Sequence, residues 1–221
     1  MADTKINDVY LIHSPLAEDD FVKLALSSRP YEFRLNAMHQ VSQGLAHLHA
    51  RGIMHRDLKP TNLMMVSYDP PWAIIIDYGS ATFEETSRDH RKGTIAYLAP
   101  EVLQLKKDES QLQKDGLQLS KEEPRGKPYD NRCDIWGVGL CTYQLFYQQS
   151  CEWTEGVTTT DLQKIYSTLH QRPPDLAELV RTMLAWNPGD RPTASTLARS
   201  QVWTSSLPLA APDSGCSRKR K

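Results

Sequence analysis

The chain has 221 residues, 39% of them hydrophobic, and a formal net charge of −1. That size and apolar content suffice for one sizeable core, while the near-neutral charge gives no electrostatic drive toward nucleic acid or a membrane as a main partner. The apolar runs are too short to span a bilayer, and Met1-Ala2-Asp3-Thr4-Lys5 opens no secretory signal. Cys133, Cys141, Cys151 and Cys216 lack metal-ligand spacing, so the expectation is reduced thiols in a cytoplasmic or nuclear protein.

In chain order, Val9-Tyr10-Leu11-Ile12 is a short apolar run, followed by His13-Ser14-Pro15-Leu16. Leu35, Met38, Val41, Leu45 and Leu48 recur at steps of three and four, so a helix is predicted here, with Gly52 as its C-terminal stop. His55-Arg56-Asp57-Leu58-Lys59-Pro60-Thr61-Asn62 then sets a carboxylate, an ammonium and a carboxamide in one loop. Those groups suit phosphoryl transfer: Asp57 to take a hydroxyl proton, Lys59 to offset phosphoryl charge, Asn62 to hold a divalent ion. Ala73-Ile74-Ile75-Ile76 reads as a buried strand that delivers Asp77 to the turn Asp77-Tyr78-Gly79, a metal-site arrangement in which a buried Tyr78 hydroxyl needs a partner.

Gly93-Thr94-Ile95-Ala96-Tyr97-Leu98-Ala99-Pro100-Glu101 follows, and then residues 105–128, rich in Lys, Glu, Asp and Gln, are predicted to be a flexible insertion. Such an insertion is either a docking or regulatory loop or a tolerated surface addition. Asp134-Ile135-Trp136-Gly137-Val138-Gly139 opens a further apolar stretch. A last amphipathic helix is predicted from Leu176, Leu179, Val180, Met183 and Leu184, with Asp175 and Glu178 as its capping pair. Asp190-Arg191-Pro192-Thr193-Ala194 comes next, and Ser217-Arg218-Lys219-Arg220-Lys221 ends the chain as either a nuclear-localisation signal or a solvated terminus. His39, His47, His49, His90 and His170 show no metal spacing.

Taken together, these signatures resemble the protein kinase family. The octet matches its catalytic-loop pattern H-R-D-L-x-x-x-N, Asp77-Tyr78-Gly79 resembles D-F-G, and Ala99-Pro100-Glu101 is A-P-E. Lys59-Pro60 resembles the serine/threonine branch. The resemblance implies a mainly α (α+β) fold: the family's helical large lobe with a small β-hairpin at the catalytic loop. Residues 1–16 would be a remnant of the small lobe's last strand and hinge, 17–204 the large lobe, and 205–221 a disordered basic tail.

The implied reaction moves the γ-phosphoryl group of ATP to a Ser or Thr hydroxyl of a protein substrate. Asp57, Lys59 and Asn62 would be catalytic, and Asn62 and Asp77 would hold Mg²⁺. Met64 would lie under the adenine, and the backbone of Ser14 and Leu16 would offer it hinge hydrogen bonds. The resemblance also implies that Thr94 sits beside Asp57 and Lys59, that Asp134 bonds the catalytic-loop backbone, and that Arg191 pairs with Glu101. Arg56 would anchor a phosphate on the activation segment, at Thr86 or Ser87. The family's step from the A-P-E glutamate to the next aspartate is about a dozen residues; here 33 separate Glu101 from Asp134.

No glycine-rich loop and no V-A-I-K lysine precede the octet. The expectation is therefore a chain nearly silent by itself, with an apolar floor around Met64 open to a partner protein. The alternative is a non-catalytic large lobe acting as a binding or scaffold module.

Overall fold

The computed structural model describes residues 5–6, 9–10, 30–114, 127–149, 151, 153–171 and 173–205. Strands β1 (Lys5–Ile6) and β2 (Val9–Tyr10) form a short antiparallel pair. Ser14, Leu16, the remaining residues of 11–29, and the tail from 206 onward lie outside the described residues.

Helix α1 (Tyr31–His49) begins directly after Pro30 and carries the predicted apolar stripe. Leu35, Met38, Val41 and Leu45 are each 0–2% exposed, and each such side chain contributes about 1.5–3 kcal/mol by leaving water. The stop expected at Gly52 is present: with φ of +70°, Gly52 lets the Ile53 N–H turn back to the Leu48 carbonyl at 3.0 Å. The helix packs against β4, α6 and the short turn 201–204.

The hairpin of β3 (Leu63–Tyr68) and β4 (Pro71–Ile75) is antiparallel, with its register shifting between Met65 and Ser67. Gln40 of α1 fixes its position. The Gln40 Nε2 donates to the Pro71 carbonyl at 2.8 Å and its Oε1 accepts the Ala73 N–H at 2.9 Å. Leu63, Met64 and Met65 are buried in succession, so both faces of the strand's first half are covered. The open apolar floor expected around Met64 is therefore absent at that residue, which is 9% exposed; the exposed apolar side chains of the hairpin are Val66 and Trp72.

Helix α2 (Pro100–Lys114) corrects the expected flexible insertion. Residues 105–114 continue this helix because Leu, Lys, Glu and Gln are all good helix formers and Leu103 and Leu105 bury on its inner face. Residues 115–126 lie outside the described residues. Strand β5 (Thr86–Ser87) pairs antiparallel with β6 (Tyr129–Asp130), just before helix α3.

Helix α3 (Arg132–Tyr147) is buried almost all round and forms the centre of the core, which α4 (Thr159–Thr168), α5 (Pro174–Met183) and α6 (Ala194–Ala198) complete. The predicted apolar face of α5 is present, with Leu176, Val180, Met183 and Leu184 fully buried. Its predicted Asp175–Glu178 cap is not: the helix starts one residue earlier, at Pro174, and Pro173 occupies the capping position without a side-chain bond. A proline pair presets the first turn and needs no side-chain acceptor for N–H groups it lacks. The fold is mainly helical with small two-stranded sheets, as expected from sequence. Among the described residues no helix is long and apolar enough to cross a membrane.

Candidate active site

The octet loop lies across the N-terminal end of α3, and Asp134 holds it there. This carboxylate is 1% exposed. Its Oδ1 accepts the Arg56 N–H at 2.8 Å, and its Oδ2 accepts the His55 N–H at 2.8 Å and the His49 Nε2 at 2.9 Å. Burial alone would raise the Asp134 pKa, but the His49 and His55 bonds outweigh it and hold the carboxyl below its ordinary range. The close approach also depends on Gly137, where a Cβ would stand 2.9 Å from both the Leu58 carbonyl oxygen and its Cβ.

Two non-glycine residues of the site adopt left-handed backbone, Arg56 at φ 68° and Asp77 at φ 60°. Such conformations cost of order 1–3 kcal/mol and persist where surroundings over-determine them. For Arg56 the surroundings are Asp134 on its N–H and the Ser80 carbonyl on its Nε at 2.6 Å.

Asp57, Lys59 and Thr94 form a closed hydrogen-bonded trio. The Thr94 hydroxyl donates to Asp57 Oδ1 at 2.8 Å and accepts from Lys59 Nζ at 2.8 Å, while Lys59 Nζ is 3.1 Å from Asp57 Oδ2. Asn62 completes the cluster, its Nδ2 donating to the Asp57 carbonyl at 2.7 Å and to Asp57 Oδ2 at 3.2 Å. Its Oδ1 takes no hydrogen bond among the described residues.

The turn bearing Asp77 is tied to this loop in three places. The Ile76 N–H donates to the Asn62 carbonyl at 2.9 Å, and Met54 and Thr82 exchange backbone bonds at 2.9 and 3.0 Å. The third tie is His55, fully buried: its Nδ1 accepts the Asp57 N–H at 3.3 Å, so its Nε2 carries the proton donated to the Ile76 carbonyl at 3.0 Å. Tyr78 packs edge-on against the His55 ring, and its hydroxyl has found the partner it needs, the Ile75 carbonyl at 3.2 Å. Burial raises the Tyr78 pKa. Asp77 itself is exposed, with Oδ1 accepting the Gly79 N–H at 3.2 Å.

Arg56 reaches the facing segment, donating from Nη1 to the Ser87 hydroxyl at 3.3 Å and standing 3.9 Å from the Asp89 carboxylate. Below it, Glu101 and Arg191 make a two-bond pair at 2.7 and 2.8 Å. The buried thiols take no part: burial pushes Cys151 up to about 12 and raises Cys133 and Cys141 well above their ordinary value.

The structure thus brings Asp57, Lys59, Asn62 and Thr94 into mutual contact and sets Asp77 on the neighbouring turn. Met64 is buried on β3, and Ser14 and Leu16 lie outside the described residues. Sequence reasoning missed His49 as a partner of Asp134, and it missed Glu109, which binds His90 and Arg91 of the segment. The signal for Glu109 was present in the run of helix formers from 105 to 114. His49 offered none, since its partner is 85 residues away.

Comparison with known proteins agrees with this geometry. A family model described as "Protein kinase domain" matches residues 7–203. The chain is 27% identical over 183 residues to rat eukaryotic translation initiation factor 2-alpha kinase 3, covering 82% of this chain and 16% of that protein. It is 28% identical over 227 residues to the calcium/calmodulin-dependent protein kinase type II subunit delta of Oryctolagus cuniculus, covering 90% of this chain and 38% of that protein. Against an Aurora kinase of Yarrowia lipolytica it is 25% identical over 190 residues, 83% of this chain and 45% of that one. The chain spans less than half the length of each of these relatives.

Proposed function

The chain belongs to the protein kinase family, and we propose that its Asp57 centre transfers the γ-phosphoryl group of ATP to a Ser or Thr hydroxyl of a protein substrate. The observation that carries this reading is the Asp57–Lys59–Thr94 trio with Asn62 bonded beneath it. In it a carboxylate and an ammonium share one hydroxyl, so both charges stay fixed where an acceptor hydroxyl and a phosphoryl group would meet. Asp57 orients the hydroxyl and takes its proton, and Lys59 offsets charge on the phosphoryl oxygens. Thr94 keeps the two in register.

The residues fit Mg²⁺. Asn62 Oδ1 takes no hydrogen bond among the described residues, and Asp77 presents an exposed carboxylate on a turn tied to Asn62. Two hard oxygen ligands with substrate phosphates and water suit this ion, which seldom uses an all-protein cage. When bound, the ion would neutralise phosphate charge. Met64, two residues past Asn62 on β3, is assigned to the adenine together with the Ser14 and Leu16 backbone, an assignment that requires what covers Met64, which is 9% exposed, to move aside. The free thiols Cys133, Cys141 and Cys151 support a reducing compartment, the cytoplasm or nucleus.

The test is a Mg²⁺ titration of phosphoryl transfer by a protein joining residues 7–203 to a nucleotide-binding lobe. Asp77→Asn should raise the Mg²⁺ needed by at least about tenfold, the typical effect of losing one ligand-shell partner. Transfer indifferent to Mg²⁺ or to Asp77→Asn would overturn the metal assignment. A folded protein that transfers nothing at any Mg²⁺ concentration would favour the scaffold reading.

A further inference from the structure

Glu109 stands two helical turns beyond Glu101 on α2, on the stretch of helix that sequence reasoning took for a flexible insertion. Its carboxylate reaches back to the activation segment, with Oε2 on His90 Nε2 and Oε1 accepting Arg91 Nη2 at 3.3 Å. On the other side of the ring, His90 Nδ1 faces the Arg88 carbonyl at 3.2 Å. A carbonyl oxygen and a carboxylate oxygen can only accept. Engaging both acceptors at once takes two N–H donors, which the imidazolium has and the neutral ring lacks. The His90 bond, followed by the charges of His90 and Arg91, outweighs desolvation and holds the Glu109 carboxyl below its ordinary range.

We infer that His90 and Glu109 form a proton-operated latch that positions the activation segment at residues 86–91 for the Asp57 centre. This deepens the kinase reading by saying how the segment is held, and it does so without phosphate. The groups facing His90 are Glu109 from α2, with Arg91 and the Arg88 carbonyl from its own segment. Next to it, Asp89 is engaged by the Arg91 N–H at 3.2 Å and by Arg56 at 3.9 Å. From β6, the Tyr129 hydroxyl donates to the Asp89 carbonyl at 2.7 Å, and burial raises its pKa away from neutrality. The β5–β6 ladder and the Arg56 bond to Ser87 hold the segment independently of that ring. A protonated ring makes both bonds; a neutral ring has one donor and leaves one acceptor without a partner. The segment is thus held most tightly while the ring is protonated and loosens once the ring is neutral.

Glu109 and His90 are positioning residues, since they touch the segment and not the reacting atoms. The test is amide hydrogen exchange at residues 86–91 in the full chain, corrected for intrinsic rate, at about pH 6 and about pH 8, which bracket imidazole titration. In the parent, protection should fall roughly tenfold between these conditions, the scale of one charge-assisted bond. Glu109→Gln and His90→Gln should show the lower protection at both. Protection that is independent of pH in the parent, or unchanged in both variants, overturns the latch. Nitrogen NMR of the unmutated His90 ring needs no variant. Protons on both nitrogens while the segment is protected support the latch, and a neutral ring in the protected segment overturns it. Neither readout requires phosphoryl transfer, so failure of the latch is distinguishable from failure of the kinase reading.

Discussion

Arg191 uses all five of its N–H donors. Two go to Glu101; the others go to the Ala185 carbonyl at 2.8 Å, the Arg132 carbonyl at 3.0 Å and the Trp186 carbonyl at 3.2 Å, and its guanidinium lies 5.1 Å from the Trp136 ring centre. The residue is 2% exposed. Arg191→Ala leaves Glu101 without its counter-charge and three carbonyls without donors, so a loss of about 3–5 kcal/mol is expected. In a chain of this size that lowers the melting temperature by roughly 10 °C. A shift of a degree or two would show that the pair matters little. Lysine at 191 should recover only part of the loss, because one ammonium cannot reproduce a planar fork.

At this scale the sequence was readable where a signature carried the geometry with it. Thr94, Asp134 and the Glu101–Arg191 pair all stand where the family pattern implied. What escaped were the tertiary bonds that no family signature carries, such as His49 with Asp134 and His90 with Glu109. The backbone strain at Arg56 and Asp77 also left no trace in residue type, since neither is glycine. His55 illustrates both cases: its place in the octet was evident, but its buried tautomer and its tie to Ile76 depend on two loops 21 residues apart meeting in space.

Among the elements, α3 is the one on which the site rests, and Gly137 is its contact with the octet. A methyl group there would overlap the Leu58 carbonyl, a backbone atom held on both sides, and so the loop or the helix must move. Alanine gains about 1 kcal/mol in helix propensity over glycine. Overpacking against backbone costs about 1–3 kcal/mol, so Gly137→Ala should be net destabilising, by around 1 kcal/mol, and should depress phosphoryl transfer more than it depresses melting. A more stable variant with full transfer would show that the loop does not need this approach. Helix α2 carries the opposite lesson. Charge and polarity in residues 105–128 suggested disorder, yet a helix pinned at one end by Pro100–Glu101 and Leu103 propagates cheaply through good formers. Over residues 105–114 helix propensity outweighs polar composition. The α5 cap failed for a related reason, because Pro173-Pro174 sets the helix start more firmly than an acidic pair one residue later.

For the molecule as a whole, acid stability should follow Asp134. Its pKa is lowered in the folded state, so the stability it contributes is fully present above the ordinary carboxyl range near pH 4 and is lost as pH falls through the lower folded value. Melting temperature is therefore expected to drop between about pH 5 and pH 2, and Asp134→Asn, less stable throughout, should show a shallower drop. Parallel curves for the two would remove Asp134 as the cause. The mainly helical architecture was legible from the family signatures, together with the helical spacing from Leu35 to Leu48 and from Leu176 to Leu184 and the strand–turn pattern before Asp77. The covering of Met64 was not, because which face of a hairpin meets solvent depends on what packs over it.

The central claim is that the Asp57 trio is a phosphoryl-transfer centre for Ser and Thr. Its most direct test is phosphoamino-acid analysis of a protein substrate after incubation with Mg²⁺-ATP and residues 7–203 joined to a nucleotide-binding lobe, the parent set beside Asp57→Asn. Phosphoserine or phosphothreonine is expected from the parent, and a rate lower by about 10²–10⁴-fold from the variant, which removes proton transfer while preserving shape. Phosphotyrosine as the product, or equal rates from parent and variant, would contradict it.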